Sequence, residues 1–158
     1  MTVRALTMDD WPGAEILYWQ LTRSGAVAGR AQFGSVLAHP GTSVFGKVER
    51  GQLLSMATLH VLPNMTYGGR PYGLIENVVT EKDHRGQGHG RAVIGRLAEA
   101  ARAAGCYKLM LLTGQARNAR GFYEAVGFSA DAKWGMMMRF VEPAQASGSE
   151  TGSGSVRA

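Results

Sequence analysis

The run from Leu74 to Gly90, LIENVVTEKDHRGQGHG, limits what this chain can fold into more than any other segment of it. Leu74, Ile75, Val78 and Val79 form a short apolar stretch rich in β-branched residues, the pattern of a strand covered on both faces, with polar Glu76 and Asn77 set into its middle. Glycine then recurs at every second position, Gly86, Gly88 and Gly90, between Arg85 and Arg91. After that the apolar spacing turns helical, through Val93, Leu97, Ala101 and Ala104. Glycines let a backbone approach a ligand closely and aim successive N–H groups at it, and a helix start adds partial positive charge. Strand, loop and helix together predict a phosphate site.

Two familiar phosphate motifs do not fit. A dinucleotide fingerprint needs a further glycine three residues after Gly88, where this chain has Arg91, and a P-loop needs Gly-Lys-Ser/Thr, which is absent. What fits is R-x-x-G-x-G, carried by Arg85, Gly88 and Gly90. This resembles the acetyl-CoA pyrophosphate loop of the GNAT acetyltransferase superfamily. The resemblance continues downstream: Cys106 to Leu112, CYKLMLL, looks like that family's next strand. Asn118 to Phe128, NARGFYEAVGF, looks like its second coenzyme-contacting segment, with Asn118, Phe122, Tyr123, Gly127 and Phe128 in place. ENVV, HRGQGHG, GCYK and GFYEAVGF are similar in order and spacing to the glucosamine-6-phosphate N-acetyltransferases, over roughly residues 50 to 140. Where those enzymes usually carry Glu-Asp in the strand, this chain carries Glu76-Asn77.

The resemblance implies an α/β GNAT fold: a mixed, mostly antiparallel sheet flanked by helices and splayed between two central parallel strands. It implies acetyl-CoA held along Val78, Val79 and Thr80 and by the loop residues Arg85, Gly86, Gln87, Gly88, His89, Gly90 and Arg91, with Asn118, Phe122 and Tyr123 near the thioester. A small polar amine, an aminosugar or antibiotic-like amine, is the implied acceptor, with Glu76, Asn77, His60 and Arg139 as candidate contacts; Arg139 resembles an arginine that meets the sugar phosphate in those enzymes. They also complete their pockets as dimers through the C-terminal strand, which implies a homodimer here.

With 158 residues, 45% of them hydrophobic and 18% charged, the chain suits one domain with a real core. That domain is expected over residues 1–142. From Pro143 onward, PAQASGSETGSGSVRA has too few apolar residues to join a core, so 143–158 reads as a flexible tail. No stretch approaches the ~18 apolar residues of a membrane span, and MTVRALTMDD lacks a signal peptide's apolar core, so a soluble, cytoplasmic protein without membrane contact is expected. A single cysteine, Cys106, excludes an internal disulfide and argues against zinc; it reads as an inert core thiol, and no histidine has metal-ligand spacing. The balance of 17 Lys plus Arg against 12 Asp plus Glu favours an anionic ligand, and the phosphates of coenzyme A suffice. Scattered basic residues without an RNP, zinc-finger or helix-turn-helix signature argue against nucleic acid.

In chain order, Thr2–Leu6 predicts a strand, and Thr7 or Asp9 a cap for a helix burying Trp11, Ala14, Leu17, Tyr18 and Leu21. A second helix follows near 28–38 with Phe33, Val36 and Leu37 inward, ended by His39-Pro40-Gly41. Val44–Val48 and Leu53–Leu62 read as a hairpin, and residues 64–71, NMTYGGRP, as a connection that could serve as a flap over substrate. Gly105 and Gly127 should stop the two later helices, and Trp134–Val141 is predicted as the last strand.

Acetyl transfer to an amine needs the amine neutral, the thioester carbonyl polarised and the departing thiolate protonated. Glu76, expected to be enclosed in the apolar strand, is the candidate base. The family pattern points the Tyr123 hydroxyl at the sulfur as the acid, and a Val78 amide could polarise the carbonyl. Two rivals remain: the same chemistry on a protein N-terminus or lysine, and a non-catalytic acyl-CoA sensor, against which the presence of both Glu76 and Tyr123 argues.

Overall fold

The structure, a computed structural model, describes residues 2–22 and 25–140. At its centre stands the predicted hairpin, β2 (Thr42–Glu49) and β3 (Gln52–Leu62), joined by Arg50-Gly51. Both turn residues have positive φ, 49° and 80°, the two-residue turn whose twist matches that of paired strands. β1 (Thr2–Ala5) lies outside β2, and β4 (Tyr72–Thr80) outside β3, all antiparallel; β5 (Leu109–Leu111) joins β4 in parallel to give the order β1-β2-β3-β4-β5.

Strand alternation sends neighbouring side chains to opposite faces, and each face has its own core. Val44 and Met56 pack with Leu17 and Phe33 beneath α1 (Trp11–Leu21) and α2 (Arg30–Ala38). Phe45, Ala57 and Ile75 pack on the other side with Val93, Ile94 and Leu97 of α3 (His89–Ala103). Each fully buried Leu or Ile contributes about 1.5–3 kcal/mol. The stripe predicted for α1 is present: Trp11, Ala14 and Leu17 are buried, with Tyr18 and Leu21 against them. Ahead of α1 the Thr7 N–H donates to Asp10 Oδ2 at 2.8 Å, and Arg4 grips the same carboxylate with two bonds of 2.8 and 2.7 Å. The Arg4 guanidinium holds the Asp10 carboxyl below its ordinary range.

Both predicted glycine stops are found. Gly105 has φ 78° and Cys106 N–H donates to Ala101 O, five residues back, at 3.0 Å; Gly127 has φ 99° and Phe128 N–H donates to Tyr123 O at 3.0 Å, closing α4 (Arg120–Ala125).

Three expectations need correction. The strand predicted over Cys106–Leu112 is confined to Leu109–Leu111, because only Gly73–Ile75 of β4 pairs with it. The last strand, Trp134–Val141, is not formed over 134–140, and Val141 lies outside the described residues. Its apolar, aromatic composition reads as strand, but a strand exists only through hydrogen bonds to a neighbour. No ladder partner lies beside it among the described residues, and Trp134 is 96% and Phe140 90% exposed. Residues 64–71 are no flap over the cleft: Asn64 Nδ2 donates to Thr66 O and Arg70 O, Arg70 Nε donates to Gly105 O, and Tyr67 stacks on Tyr107 at 4.0 Å. These contacts hold the loop at the end of β4 remote from the glycine-rich turn. The tail, residues 143–158, lies outside the described residues. Among the described residues no helix is long and apolar enough to cross a membrane.

Candidate active site

The site begins at an irregularity in β4. Thr58 of β3 faces Glu76 and Met56 faces Val79, so Asn77 and Val78 together oppose Ala57 alone. Asn77 takes φ 55°, a left-handed conformation that asparagine tolerates better than most residues. A bulge of this kind bends the strand and increases its twist. Beyond it β4 runs on to Thr80, while its pairing with β5 stops at Ile75 and Leu111. The sheet therefore opens into a wedge, as the family resemblance implies.

The wedge leads into a cleft of about 1060 Å³, large enough for a thioester arm and a small acceptor together. Glu76, Asn77, Val78 and Tyr123 line it, with His60 of β3 and Arg139 from the C-terminal segment. Tyr123 is half-buried. Burial pushes its phenol above the ordinary value; the Glu76 charge adds to that rise and the Arg117 charge opposes it. Its neighbour Phe122 is 38% exposed, with ring centroids 5.0 Å apart, so the adjacent aromatics of α4 divide between cleft and surface. Glu76 departs from expectation in one respect. It is exposed in the open cleft, not enclosed in the strand, because alternation from buried Ile75 puts it on the α1 face and the pairing of β4 with β5 ends at Ile75, one residue before it.

The glycine-rich turn lies at the head of the wedge. Gly86 and Gly88 have φ 76° and 82°, and a Cβ at either would meet no protein atom within 4 Å, so the space above their backbone is open. Gly90 serves differently: its Cβ would fall 3.2 Å from Thr80 Oγ1 and 3.4 Å from Phe122, so its bareness lets α3 close on β4 and α4. His89 opens α3, and its Nε2 is buried with no hydrogen-bond partner among the described residues. Open glycine backbone and the start of a long helix suit the diphosphate of a coenzyme. The turn is braced from α1: Gln20 Nε2 donates to Glu81, Gln20 Oε1 accepts from Lys82 N–H, and Glu81 also bonds His84 Nδ1 at 2.8 Å. That histidine holds the Glu81 carboxyl below its ordinary range.

Several predicted contacts are engaged by the protein itself. Arg85 Nε donates to Thr80 O and Gln87 Nε2 to Asp83 O, which shapes the turn. Arg91 Nη2 donates to Ala125 O at 2.7 Å and ties α3 to α4. Val79 is buried in the core, leaving only its backbone for a ligand. Asn118, at φ 49°, ends a short helical turn rather than entering the cleft lining. Cys106 is half-buried and burial pushes its thiol up, in keeping with an inert role.

Arg117 and Tyr18 are among the lining residues that escaped the sequence reading. Arg117 reaches across to α1, donating from Nη2 to Leu21 O at 2.8 Å, and so roofs the cleft. Its place in a polar loop carried no periodic signal; only adjacency to Asn118 could have flagged it. Tyr18 reads as a core residue of the α1 stripe, yet it lines the cleft, its phenol pushed up by burial and eased by the Thr58 hydroxyl.

Residues 2–128 match the acetyltransferase (GNAT) family model. The chain belongs to the GNAT acetyltransferase family. Members of this family use acetyl-CoA as the acetyl donor. The chain is 40% identical over 89 residues to the glucosamine 6-phosphate N-acetyltransferase of Trypanosoma brucei brucei, a match covering 56% of this chain and 59% of that enzyme. It spans about half the length of the curated relatives it matches, 59% and 45%. Among solved structures, a protein of Agrobacterium tumefaciens named as an acetyltransferase superposes with a TM-score of 0.83 at 40% identity, over 88% of this chain and 99% of that one. A Trypanosoma brucei acetyltransferase gives 0.75 at 30% identity, over 87% and 99%.

Proposed function

We propose that this GNAT protein moves an acetyl group from acetyl-CoA directly to the primary amine of a small polar molecule, with an aminosugar phosphate as the favoured acceptor. The observation that carries the reading is the meeting of Glu76 and Tyr123 in one cleft, where the sheet parts beside the backbone of Val78. Acetyl-CoA supplies the acetyl group as a thioester. The open backbone of Gly86 and Gly88 and the N-terminus of α3 hold its diphosphate, and the freed edge of β4 takes its arm as an added strand. The Val78 N–H polarises the carbonyl.

Glu76 takes a proton from the acceptor ammonium, and its exposure in the cleft lets it do so directly or through one water. Tyr123 gives its proton to the departing sulfur. Its raised pKa keeps the phenol protonated through neutral and mildly alkaline pH, as an acid requires. Arg139, which lines the cleft, offers a bidentate partner for a phosphate on the acceptor, and Asn77 and His60 offer hydrogen bonds to its hydroxyls. Support for an aminosugar comes from the Trypanosoma brucei brucei enzyme's name at 40% identity. Incubation with acetyl-CoA and a panel of amines, followed by mass spectrometry and thiol release, tests this. The expected result is N-acetylation of glucosamine 6-phosphate above unphosphorylated sugars and peptides. Acetylation of peptides alone would move the acceptor to protein.

We also propose that two copies associate through the segment 134–140. Trp134, Met136, Met138 and Phe140 are 96, 90, 79 and 90% exposed, an apolar run that single chains rarely leave in water. It supplies strand-like chain beside the short β5, where Gly135 already approaches Leu112. Sedimentation is expected to give a dimer, and Trp134→Asp with Phe140→Asp a monomer. A monomeric native protein at micromolar concentration would refute this.

A further inference from the structure

The turn after α2 builds a hydrogen-bonded chain out of the cleft. In His39-Pro40-Gly41-Thr42, proline stands second, Gly41 third with φ 80°, and Thr42 N–H donates to His39 O at 3.1 Å, the arrangement of a type II turn. A Cβ on Gly41 would lie 2.7 Å from Val61 O, so only glycine lets the turn close on β3. The turn brings His39 back over Thr42, and the strand register sets Thr42 opposite His60. The hydroxyl of Thr42, a residue 9% exposed, then lies 3.0 Å from Nδ1 of His39 and 2.9 Å from Nδ1 of His60. His39 is exposed on the surface, while His60 lines the cleft. Thr58 faces Glu76 and His60 faces Leu74, so His60 and Glu76 are diagonal neighbours on one face, about 7–8 Å apart by sheet geometry. Both side chains line the cleft, which leaves room for water between them.

We propose that His60, Thr42 and His39 form a proton relay that carries the acceptor's ammonium proton from Glu76 to solvent. This rests on the acetyl-transfer reading of the cleft. Glu76 passes the proton through water to Nε2 of His60. The Nδ1 proton of His60 moves to the Thr42 oxygen as the Thr42 hydroxyl proton moves to Nδ1 of His39, and His39 loses its Nε2 proton to bulk water. One proton enters and one leaves, no group keeps a new charge, and ring protons exchange with solvent before the next turnover. None of the three touches the amine; each acts through Glu76.

Two measurements on the native protein and its variants test the relay. In ¹⁵N spectra of the histidine rings of the resting protein, His60 should carry a proton on Nδ1 and His39 a bare Nδ1, with Thr42 between them; the reverse arrangement, or the same state on both rings, would overturn the relay. In steady-state assays, Thr42→Val, which keeps the branched shape and removes the hydroxyl, should lower kcat about tenfold without changing the KM for acetyl-CoA. Thr42→Ser should restore it, and the surface change His39→Asn should lower kcat in the same way. A Thr42→Val enzyme as fast as native, or a Thr42→Ser enzyme as slow as the valine variant, would overturn the relay. If native protein acetylates no amine, the transfer reading fails by that result, while the ring spectra still decide whether the chain exists.

Discussion

Tyr123→Phe is expected to lower kcat about a hundredfold or more while leaving acetyl-CoA affinity within about twofold of native, the range for losing a positioned general acid. Phenylalanine keeps the ring that packs against Phe122 and Phe128 and removes only the hydroxyl. The loss should therefore appear in kcat and kcat/KM together, as for an interaction made only in the transition state. Burial, reinforced by the nearby Glu76 charge, keeps the native phenol protonated, so its contribution should hold from neutral pH upward and fail only above the ordinary tyrosine value of about 10. Thiol release with saturating acetyl-CoA, beside calorimetric titration of the coenzyme, measures both quantities. Unchanged turnover in the variant would remove Tyr123 from the chemistry and return weight to a protein that only senses acyl-CoA.

Gly88→Val is expected to weaken acetyl-CoA binding at least about a hundredfold, which corresponds to about 2.7 kcal/mol. Gly88 caps α3 in the left-handed region at φ 82°, where a β-branched residue is strained by roughly 1–2 kcal/mol. Its Cβ would meet no protein atom within 4 Å, so packing inside the protein is not the cause. The new side chain would instead fill the space over the backbone where the diphosphate is proposed to sit. Calorimetry of acetyl-CoA binding, with helical content checked by circular dichroism, reads the result. Native affinity in a folded Gly88→Val protein would place the coenzyme elsewhere.

Much of the fold was legible because it rests on local rules. Arg50-Gly51 between two apolar runs can hardly be anything but a hairpin, the stripe from Trp11 to Leu21 fixes which face of α1 is buried, and Gly105 and Gly127 end helices by a conformation other residues avoid. The glycine-rich turn was legible for the same reason. What depends on partners distant in sequence was not. The exposure of Glu76 follows from the end of the β4–β5 pairing one residue before it, and no pattern within β4 announces it. The brevity of β5 follows from where β4 turns away. Trp134–Phe140 has every attribute of a strand except a hydrogen-bonded partner among the described residues, and local composition carries no information on partners. Arg117 entered the cleft through a bond to Leu21, 96 residues earlier in the chain.

The doubled step at Asn77 has a consequence in counting. Glu76 and Val79 share a face although three positions separate them, an odd interval that an unbroken strand would assign to opposite sides. The parity of the strand is thus reversed after the acid, and Val79 owes its place in the core under α1 to the extra residue between them. Losing a single position there would turn Val79 toward the layer under α3 and shift the glycine-rich turn against the carboxylate, even with every functional side chain retained. In this strand, length is inherited as strictly as identity.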